Sequence, residues 1–274
     1  MELIVDDKRV FASTGGRAFD PARPAVIFLH GAGMDRSVWS GQLRYFASHG
    51  WSVLAVDLPG HGNSEGPAQG PSLPDIAAMA DWVARLIDAA GLSRAALVGH
   101  SMGALVALAA TARHPDRVSA LALLGAAAAM PVHPDLLNAA ATGNHAAIDS
   151  MVNWGVGRPA HIGGHIAPGL WVAGASLRLL ERIDYAVLAS DLAACNAYDD
   201  GPVDAAKVLC PALVLIGEAD RMTPPKAGRA LAAALPDPHP VVLPGTGHMM
   251  MVEQPDLVLD ALRDFLSATK EKAA

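Results

Sequence analysis

The stretch Leu97-Val98-Gly99-His100-Ser101-Met102-Gly103-Ala104 decides the fold and places one serine between two glycines. The apolar run that leads into it is typical of a buried strand, and the small residues of 104–110 predict a helix after it. On such a sharp strand-to-helix turn, a serine hydroxyl stands clear of the sheet, and the first N–H groups of the helix point to the same place. Gly99 and Gly103 avoid side chains that would collide at the turn. The stretch therefore predicts a serine presented for chemistry.

Composition limits the class of protein. The 274 residues suffice for one large α/β domain or two smaller ones, and 52% hydrophobic with 17% charged residues excludes a disordered chain. The net charge of −7, with no cluster of lysine and arginine, argues against a nucleic-acid partner. The two cysteines, Cys195 and Cys210, form no C-x-x-C motif, which argues against a disulfide framework and favours a reducing cytoplasm.

The ends and the apolar runs of the sequence bear on localisation. The first eight residues have neither the basic start nor the apolar core of a signal peptide. No apolar run reaches the roughly 18–20 residues that a membrane span needs. We therefore expect a cytoplasmic protein without a membrane partner, and the sequence leaves open whether it forms a homo-oligomer.

Strands and helices alternate along the chain. Buried strands are predicted at 25–29, 51–56, 94–98, 118–124, 212–217 and 241–243, and residues 1–13 predict one or two edge strands. Helices are predicted near 36–49, 74–90, 104–110, 225–235 and 252–267. This alternation predicts an α/β fold with a mostly parallel, doubly wound sheet.

One block departs from the alternation. Residues 126–205 contain helical pieces but no convincing buried strand. We expect them to form a helical cap, inserted into a core made of residues 1–125 and 206–274.

Unusual polar motifs follow the predicted strands at their carboxyl ends, the edge where open parallel sheets bind ligands. A serine hydroxyl is a poor nucleophile unless a base lies within hydrogen-bond reach and a carboxylate orients that base. The chain order Ser101, Asp220, His248 supplies nucleophile, acid and base in the order typical of this kind of serine turn. The motifs at the strand ends are His30-Gly31-Ala32-Gly33, 57–62, Ser101, Gly217-Glu218-Ala219-Asp220 and Gly245-Thr246-Gly247-His248.

With these motifs, and with Pro224 and Glu253-Gln254-Pro255, the sequence resembles the α/β-hydrolase family over essentially its whole length. The resemblance implies that Ser101 attacks a carbonyl group, that His248 moves its proton, and that Asp220 holds His248 in the right tautomer. It also implies an oxyanion hole built from the backbone N–H groups of Ala32 and Met102. A metal or organic cofactor is not required.

Other residues have simpler interpretations beside the catalytic ones. Glu218 and Asp237 are rivals of Asp220 as the acid, while the stretch after the 118–124 strand contains no carboxylate. His30 and His61 more readily shape their loops than take part in chemistry. The histidines of the 126–205 block match no zinc spacing, so they are expected in solvent or along a pocket. Candidates for the substrate pocket are His100, Trp154, Trp171 and Met249.

These features predict a serine esterase that cleaves a small-molecule carboxylic ester through an acyl-enzyme on Ser101. The same triad could instead hydrolyse a C–C bond of a diketone, open a lactone or carry out perhydrolysis, and a ligand-binding signalling protein of this fold is a further alternative. A serine at this turn, where related haloalkane and epoxide enzymes have aspartate, argues against those two chemistries. A dinucleotide site at residues 31–36 is disfavoured because Arg36 occupies the place of the third glycine.

Overall fold

The computed structural model describes residues 1–66, 73–167 and 169–273. Within them, eight strands form one sheet in the order β1-β2-β4-β3-β5-β6-β7-β8. The first two strands pair antiparallel with each other, and β2 pairs antiparallel with β4, whereas all other pairs are parallel. The strands are β1 Glu2–Val5, β2 Lys8–Ser13, β3 Ala25–Leu29, β4 Ser52–Val56, β5 Ala95–His100, β6 Val118–Leu124, β7 Ala212–Gly217 and β8 Pro238–Leu243.

The central strands are apolar on both faces because helices cover both sides of the sheet. Every residue of β3, β4, β5 and β7 is buried, as expected for parallel strands between two helical layers. The edge strand β8 is largely exposed and tolerates Pro238 and Pro240, since an edge strand can leave ladder positions unpaired. The predicted mostly parallel, doubly wound sheet is confirmed.

Twelve α-helices occur in the described residues, and α3 packs against β5 and β6 as well as α2. Two short 3₁₀ turns, Arg36–Trp39 and Pro115–Arg117, precede α1 and follow α3. The helices are α1 Ser40–Ser48, α2 Ile76–Ala89, α3 Met102–Arg113, α4 Pro134–Ala141, α5 Ala146–Gly155, α6 Arg158–His161, α7 Val172–Leu180, α8 Tyr185–Ala197, α9 Gly201–Ala206, α10 Pro225–Ala234, α11 Met250–Glu253 and α12 Pro255–Ala273.

Proline chemistry explains where two predicted boundaries differ from the structure. The helix expected over 252–267 is divided into α11 and α12 at Gln254, whose φ of −134° and ψ of 62° are not helical. Pro255 disfavours the α conformation for the residue before it and begins a new helix without needing an N–H donor. The last strand begins at Pro238 rather than at residue 241. Its first residues were not predicted as a strand, because the prolines there interrupt the sequence pattern of a strand.

The chain between β6 and β7 contains helices α4–α9, and its described residues contain no strand. This helical segment lies over the carboxyl edge of the sheet, where the carbonyl oxygen of Gly155 accepts hydrogen bonds from the N–H groups of His248 and Met249, at 2.8 and 3.1 Å. In the described part of the chain, we find no helix with the length and apolar character needed to cross a membrane.

Candidate active site

The turn from β5 into α3 holds Ser101 in a strained backbone conformation, with φ of 53° and ψ of −119°. A side chain at Gly99 would overlap the carbonyl group of Gly103, and one at Gly103 would overlap the carbonyl oxygens of Leu29 and His30. The two glycines thus let α3 approach the sheet closely enough to close the turn. Strain of this kind persists where surrounding structure enforces it, and it occurs preferentially at functional sites.

Asp220 follows β7 and faces His248, which follows β8. One carboxylate oxygen of Asp220, Oδ2, lies 2.8 Å from Nδ1 of His248 and accepts a hydrogen bond from the Thr223 hydroxyl at 2.7 Å. The other oxygen, Oδ1, accepts from the N–H groups of Met222 and Thr223, at 2.9 and 2.8 Å. Burial alone would raise the pKa of Asp220, but the neighbouring His248 and these hydrogen bonds outweigh burial and lower it. Asp220 is therefore a buried, fully bonded carboxylate.

The ring of His248 has one nitrogen held by Asp220 and the other available. Because the carboxylate can only accept, Nδ1 of His248 carries a proton, and in the neutral form of the ring the lone pair is on Nε2. Nε2 is buried and has no hydrogen-bond partner among the described residues, Ser101 included. Ser101 and His248 nevertheless line the same cavity. Hydrogen bonds of this type are often long before substrate binds.

The loop around His248 is fastened by a second buried carboxylate. Glu253 accepts hydrogen bonds from the N–H groups of Gly247 and Gly157, at 2.9 and 3.1 Å. Burial raises the pKa of Glu253 in spite of these bonds. The side chain therefore connects the His248 loop to the helical segment. In the sequence, only its place in the Glu253-Gln254-Pro255 motif pointed to this residue.

Two backbone N–H groups lie near the serine. The turn after β3, Gly31–Met34, is closed by a hydrogen bond from Met34 N–H to the Gly31 carbonyl oxygen at 3.2 Å, with φ of +67° at Gly33. Ala32 within this turn lines the cavity together with Ser101. Met102 begins α3, so its N–H group has no carbonyl one helical turn earlier to bind.

A cavity of about 340 Å³ opens beside Ser101. Its wall is mainly apolar, and no aspartate or glutamate of the described residues lines it. The apolar side chains include Met34, Leu136, Met151, Trp154, Leu192 and Met249. A wall of this kind suits apolar parts of a small molecule.

The four predicted pocket residues divide into two pairs. Trp154 and Met249 line the cavity, whereas His100 and Trp171 do not. His100 lies behind His248, where its Nε2 is 2.9 Å from the His248 carbonyl oxygen. Burial and the nearby His248 lower the pKa of His100 to about 3, so this ring is neutral. Trp171 is 58% exposed and donates its indole N–H to the His161 carbonyl oxygen.

The rival acids lie apart from the cavity. Glu218 is exposed and accepts a hydrogen bond from the Gly245 N–H at 2.8 Å, and Asp237 is also exposed. The histidines of the helical segment form no group, among the described residues, that could hold a metal ion with other His, Cys, Asp or Glu side chains. Sequence reasoning missed Thr223, which bonds Asp220, and Asp191, a buried carboxylate on α8 that bonds Gly33.

A family model described as the alpha/beta hydrolase family matches residues 26–261, which include the serine turn, Asp220 and His248. The chain belongs to the alpha/beta hydrolase family.

Relatives of this alpha/beta hydrolase include ester- and lactone-cleaving proteins. It is 31% identical over 256 residues to a pimeloyl-[acyl-carrier protein] methyl ester esterase of Neisseria meningitidis serogroup B, covering 88% of this chain and 92% of the relative. Its structure matches the enol-lactonase from Burkholderia xenovorans LB400 with a TM-score of 0.86 and 28% identity, over 97% of this chain and 100% of the other. With such relatives, the chain is a hydrolase.

Proposed function

We propose that this hydrolase cleaves small carboxylic esters through an acyl-enzyme formed on Ser101. The observation that carries the proposal is the strained serine turn, which opens on a cavity shared with a histidine whose far nitrogen is held by a buried carboxylate. Nucleophile, base and orienting acid are the three parts that serine hydrolysis requires.

In the proposed mechanism, Nε2 of His248 takes the proton of the Ser101 hydroxyl as Oγ attacks the ester carbonyl carbon. Asp220 stabilises the imidazolium that forms and keeps its Nδ1 proton in place. The tetrahedral intermediate collapses when the C–O bond to the alcohol breaks, and His248 gives its proton to the departing alkoxide oxygen. Water then attacks the acyl-enzyme by the same proton route and releases the carboxylic acid and free Ser101.

The negative charge of the tetrahedral intermediate would be stabilised by the N–H groups of Ala32 and Met102. The position of Ala32 in the cavity wall and the place of Met102 as the first residue of α3 support this assignment. Loss of one such donor typically costs about 10²–10³ in rate. The placement of the Gly31–Met34 turn is therefore as important as the identity of the side chains.

The helical segment supports a preference for apolar esters. We propose that residues 126–205 form the cap over the core of residues 1–125 and 206–274, because Leu136, Met151, Trp154 and Leu192 of this segment supply much of the cavity wall.

Both cysteines are free, which supports a reducing compartment such as the cytoplasm. Opening of a small lactone by the same steps is a second candidate, favoured by the structural match to an enol-lactonase.

The test is a burst experiment with p-nitrophenyl butyrate, followed by intact-protein mass measurement after acid quenching. Wild type should show turnover and a butyryl adduct on Ser101. Ser101→Ala should lose the adduct and fall by up to roughly 10⁶-fold in turnover. Ser48→Ala, the same chemical change at an exposed position of α1, serves as the matched control and should behave as wild type. Turnover that survives in Ser101→Ala would contradict the assigned nucleophile.

A further inference from the structure

A buried carboxylate from the helical segment reaches the turn that carries Ala32. Asp191 lies on α8 and is 0% exposed. Its Oδ2 accepts a hydrogen bond from the Gly33 N–H at 2.9 Å and lies 2.8 Å from Nε2 of His61. A buried carboxylate is costly unless it is paired and hydrogen-bonded. Here both partners bind Oδ2, and Oδ1 is buried with no hydrogen-bond partner among the described residues. The contact joins three segments that are far apart in sequence.

The charge state of this pair follows from its hydrogen bonds. His61 has Asp191 at Nε2 and the Pro59 carbonyl oxygen at Nδ1, 3.1 Å away, so both ring nitrogens face acceptors. Burial alone would lower the pKa of His61, but the Asp191 carboxylate and the hydrogen bonds raise it. His61 is therefore held as an imidazolium paired with Asp191.

A second buried histidine, His30, lies against this imidazolium. The rings of His61 and His30 lie with centroids 4.7 Å apart. Burial, and then the charge of His61, hold the pKa of His30 well below its usual value, so His30 is neutral. Its Nε2 accepts a hydrogen bond from the Leu58 N–H at 3.0 Å, which leaves the proton on Nδ1 to be donated to the Gly31 carbonyl oxygen at 2.9 Å.

These contacts fix the direction of the Ala32 N–H. The Gly31 carbonyl and the Ala32 N–H belong to one planar peptide unit, so a carbonyl held by His30 and by Met34 N–H also orients the N–H on its other side. The next peptide unit is held by Asp191 through the Gly33 N–H. Both peptide units that flank Ala32 are thus fixed by the network of Asp191, His61 and His30.

We propose that Asp191 is a positioning residue for the oxyanion hole, acting through Gly33 and His61 to aim the Ala32 N–H at the reacting carbonyl oxygen. This inference rests on the proposed function, because it presumes a tetrahedral intermediate on Ser101. It also gives the helical segment a part in the chemical step, beyond forming the cavity wall.

The test compares three variants of Asp191 by kcat, by KM and by inhibition with a trifluoromethyl ketone that forms an oxyanion on the serine. Asp191→Ala leaves the Gly33 N–H and His61 without their acceptor. Since misplacement by about 1 Å can cost 10²-fold, we expect kcat to fall by about 10–100-fold with KM nearly unchanged, and inhibitor affinity to fall by a similar factor. Both bonds end on Oδ2 of Asp191, so Asp191→Asn can keep them with its amide oxygen at that position, accepting from the Gly33 N–H and from Nε2–H of a neutral His61. This variant should stay within about fivefold of wild type.

The matched control is Asp204→Ala. Asp204 is also a buried carboxylate of the helical segment, but it accepts from the Tyr198 hydroxyl at 2.8 Å and from Lys207 at 3.2 Å, away from the Gly31–Met34 turn. It should lose thermal stability without losing kcat per folded molecule. If Asp191→Ala does not fold, Asp191→Leu fills similar volume without an acceptor and should show the same loss of kcat.

Three results would overturn the proposal: wild-type kcat and inhibitor affinity in folded Asp191→Ala or Asp191→Leu, an equal loss of kcat in Asp204→Ala, or a loss in folded Asp191→Asn as large as in Asp191→Ala. Failure of the proposed function is recognised separately, because turnover would then survive in Ser101→Ala.

Discussion

Replacing Asp220 by asparagine should reverse the tautomer of His248. In wild type, both backbone N–H donors, from Met222 and Thr223, bind the same oxygen, Oδ1. An asparagine has one oxygen, and these two donors will hold it at the Oδ1 position, so its NH₂ group takes the place of Oδ2 opposite Nδ1 of His248. His248 must then accept at Nδ1 and carry its proton on Nε2, where it can no longer take a proton from Ser101.

The magnitude follows from the loss of the base. An asparagine that produces the wrong histidine tautomer while keeping the geometry lowers kcat by about 10⁴ in a serine protease triad, which corresponds to about 5 kcal/mol in the barrier. We expect a similar loss for Asp220→Asn, with little change in KM. The thermal midpoint should fall only modestly, because two of the four hydrogen bonds to the side chain are retained.

The assay is hydrolysis of ethyl butyrate in a pH-stat, because an unactivated leaving group depends fully on His248. Glu218→Gln is the matched control: it is the same chemical change in the same loop, at an exposed carboxylate that bonds only the Gly245 N–H among the described residues. It should stay within about twofold of wild type. A folded Asp220→Asn enzyme with more than a tenth of wild-type kcat would refute the reasoning, and so would an equal loss in Glu218→Gln.

Three further predictions concern packing, pH and the cavity. Gly103→Ala should lower the free energy of unfolding, measured by urea titration, by about 3 kcal/mol or more, because the added methyl group would overlap two carbonyl oxygens of the 29–30 backbone. Gly41→Ala, within α1, is the control: its methyl group would meet only a contact at 3.4 Å, so the change should be tolerated. The raised pKa of His61 means that its pairing with Asp191 adds stability below about pH 6.5, its unfolded value, and that this stability is lost as pH rises through the folded pKa. The thermal midpoint of wild type minus that of Asp191→Asn should therefore shrink as the pH rises above about 6.5, and a constant difference would contradict the ion pair. Across p-nitrophenyl esters from acetate to octanoate, kcat/KM should rise about fourfold per methylene until the cavity is full. Trp154→Ala should move this plateau to longer acyl chains, and a kcat/KM that does not change with chain length would contradict an apolar acyl pocket.

The fold could be predicted from the sequence because it depends on local patterns. Apolar runs of five to seven residues mark β3–β7, and the motif at each strand end follows from parallel topology. The sequence predicts that Ser101, Asp220 and His248 lie at the same edge of the sheet, because the carboxyl ends of parallel strands share one edge. Two predicted boundaries were wrong where proline changes the backbone: the helix break at Gln254 and the strand start at Pro238. Hydrophobic periodicity does not reveal that a proline lacks an N–H donor.

The cavity wall was harder to predict, because it depends on how the helices of the 126–205 segment pack. Trp154 and Trp171 have the same residue type and lie in the same segment, yet one lines the cavity and the other is 58% exposed. His100 is adjacent to Ser101 in sequence, but in a strand successive side chains point to opposite faces, and its ring lies behind His248. Neither outcome is encoded in spacing along the chain.

Asp191 shows most clearly what local patterns miss. Its partners Gly33 and His61 lie 158 and 130 residues away, and nothing near it on α8 distinguishes it from a solvated helical aspartate. Asp191 is a buried carboxylate on a segment that lines the cavity, and it binds the turn that contains Ala32. If the helices that choose the substrate also aim Ala32, then repacking α8 to admit a larger substrate should slow the chemical step even for a small ester. This coupling would make specificity and rate inseparable in this enzyme.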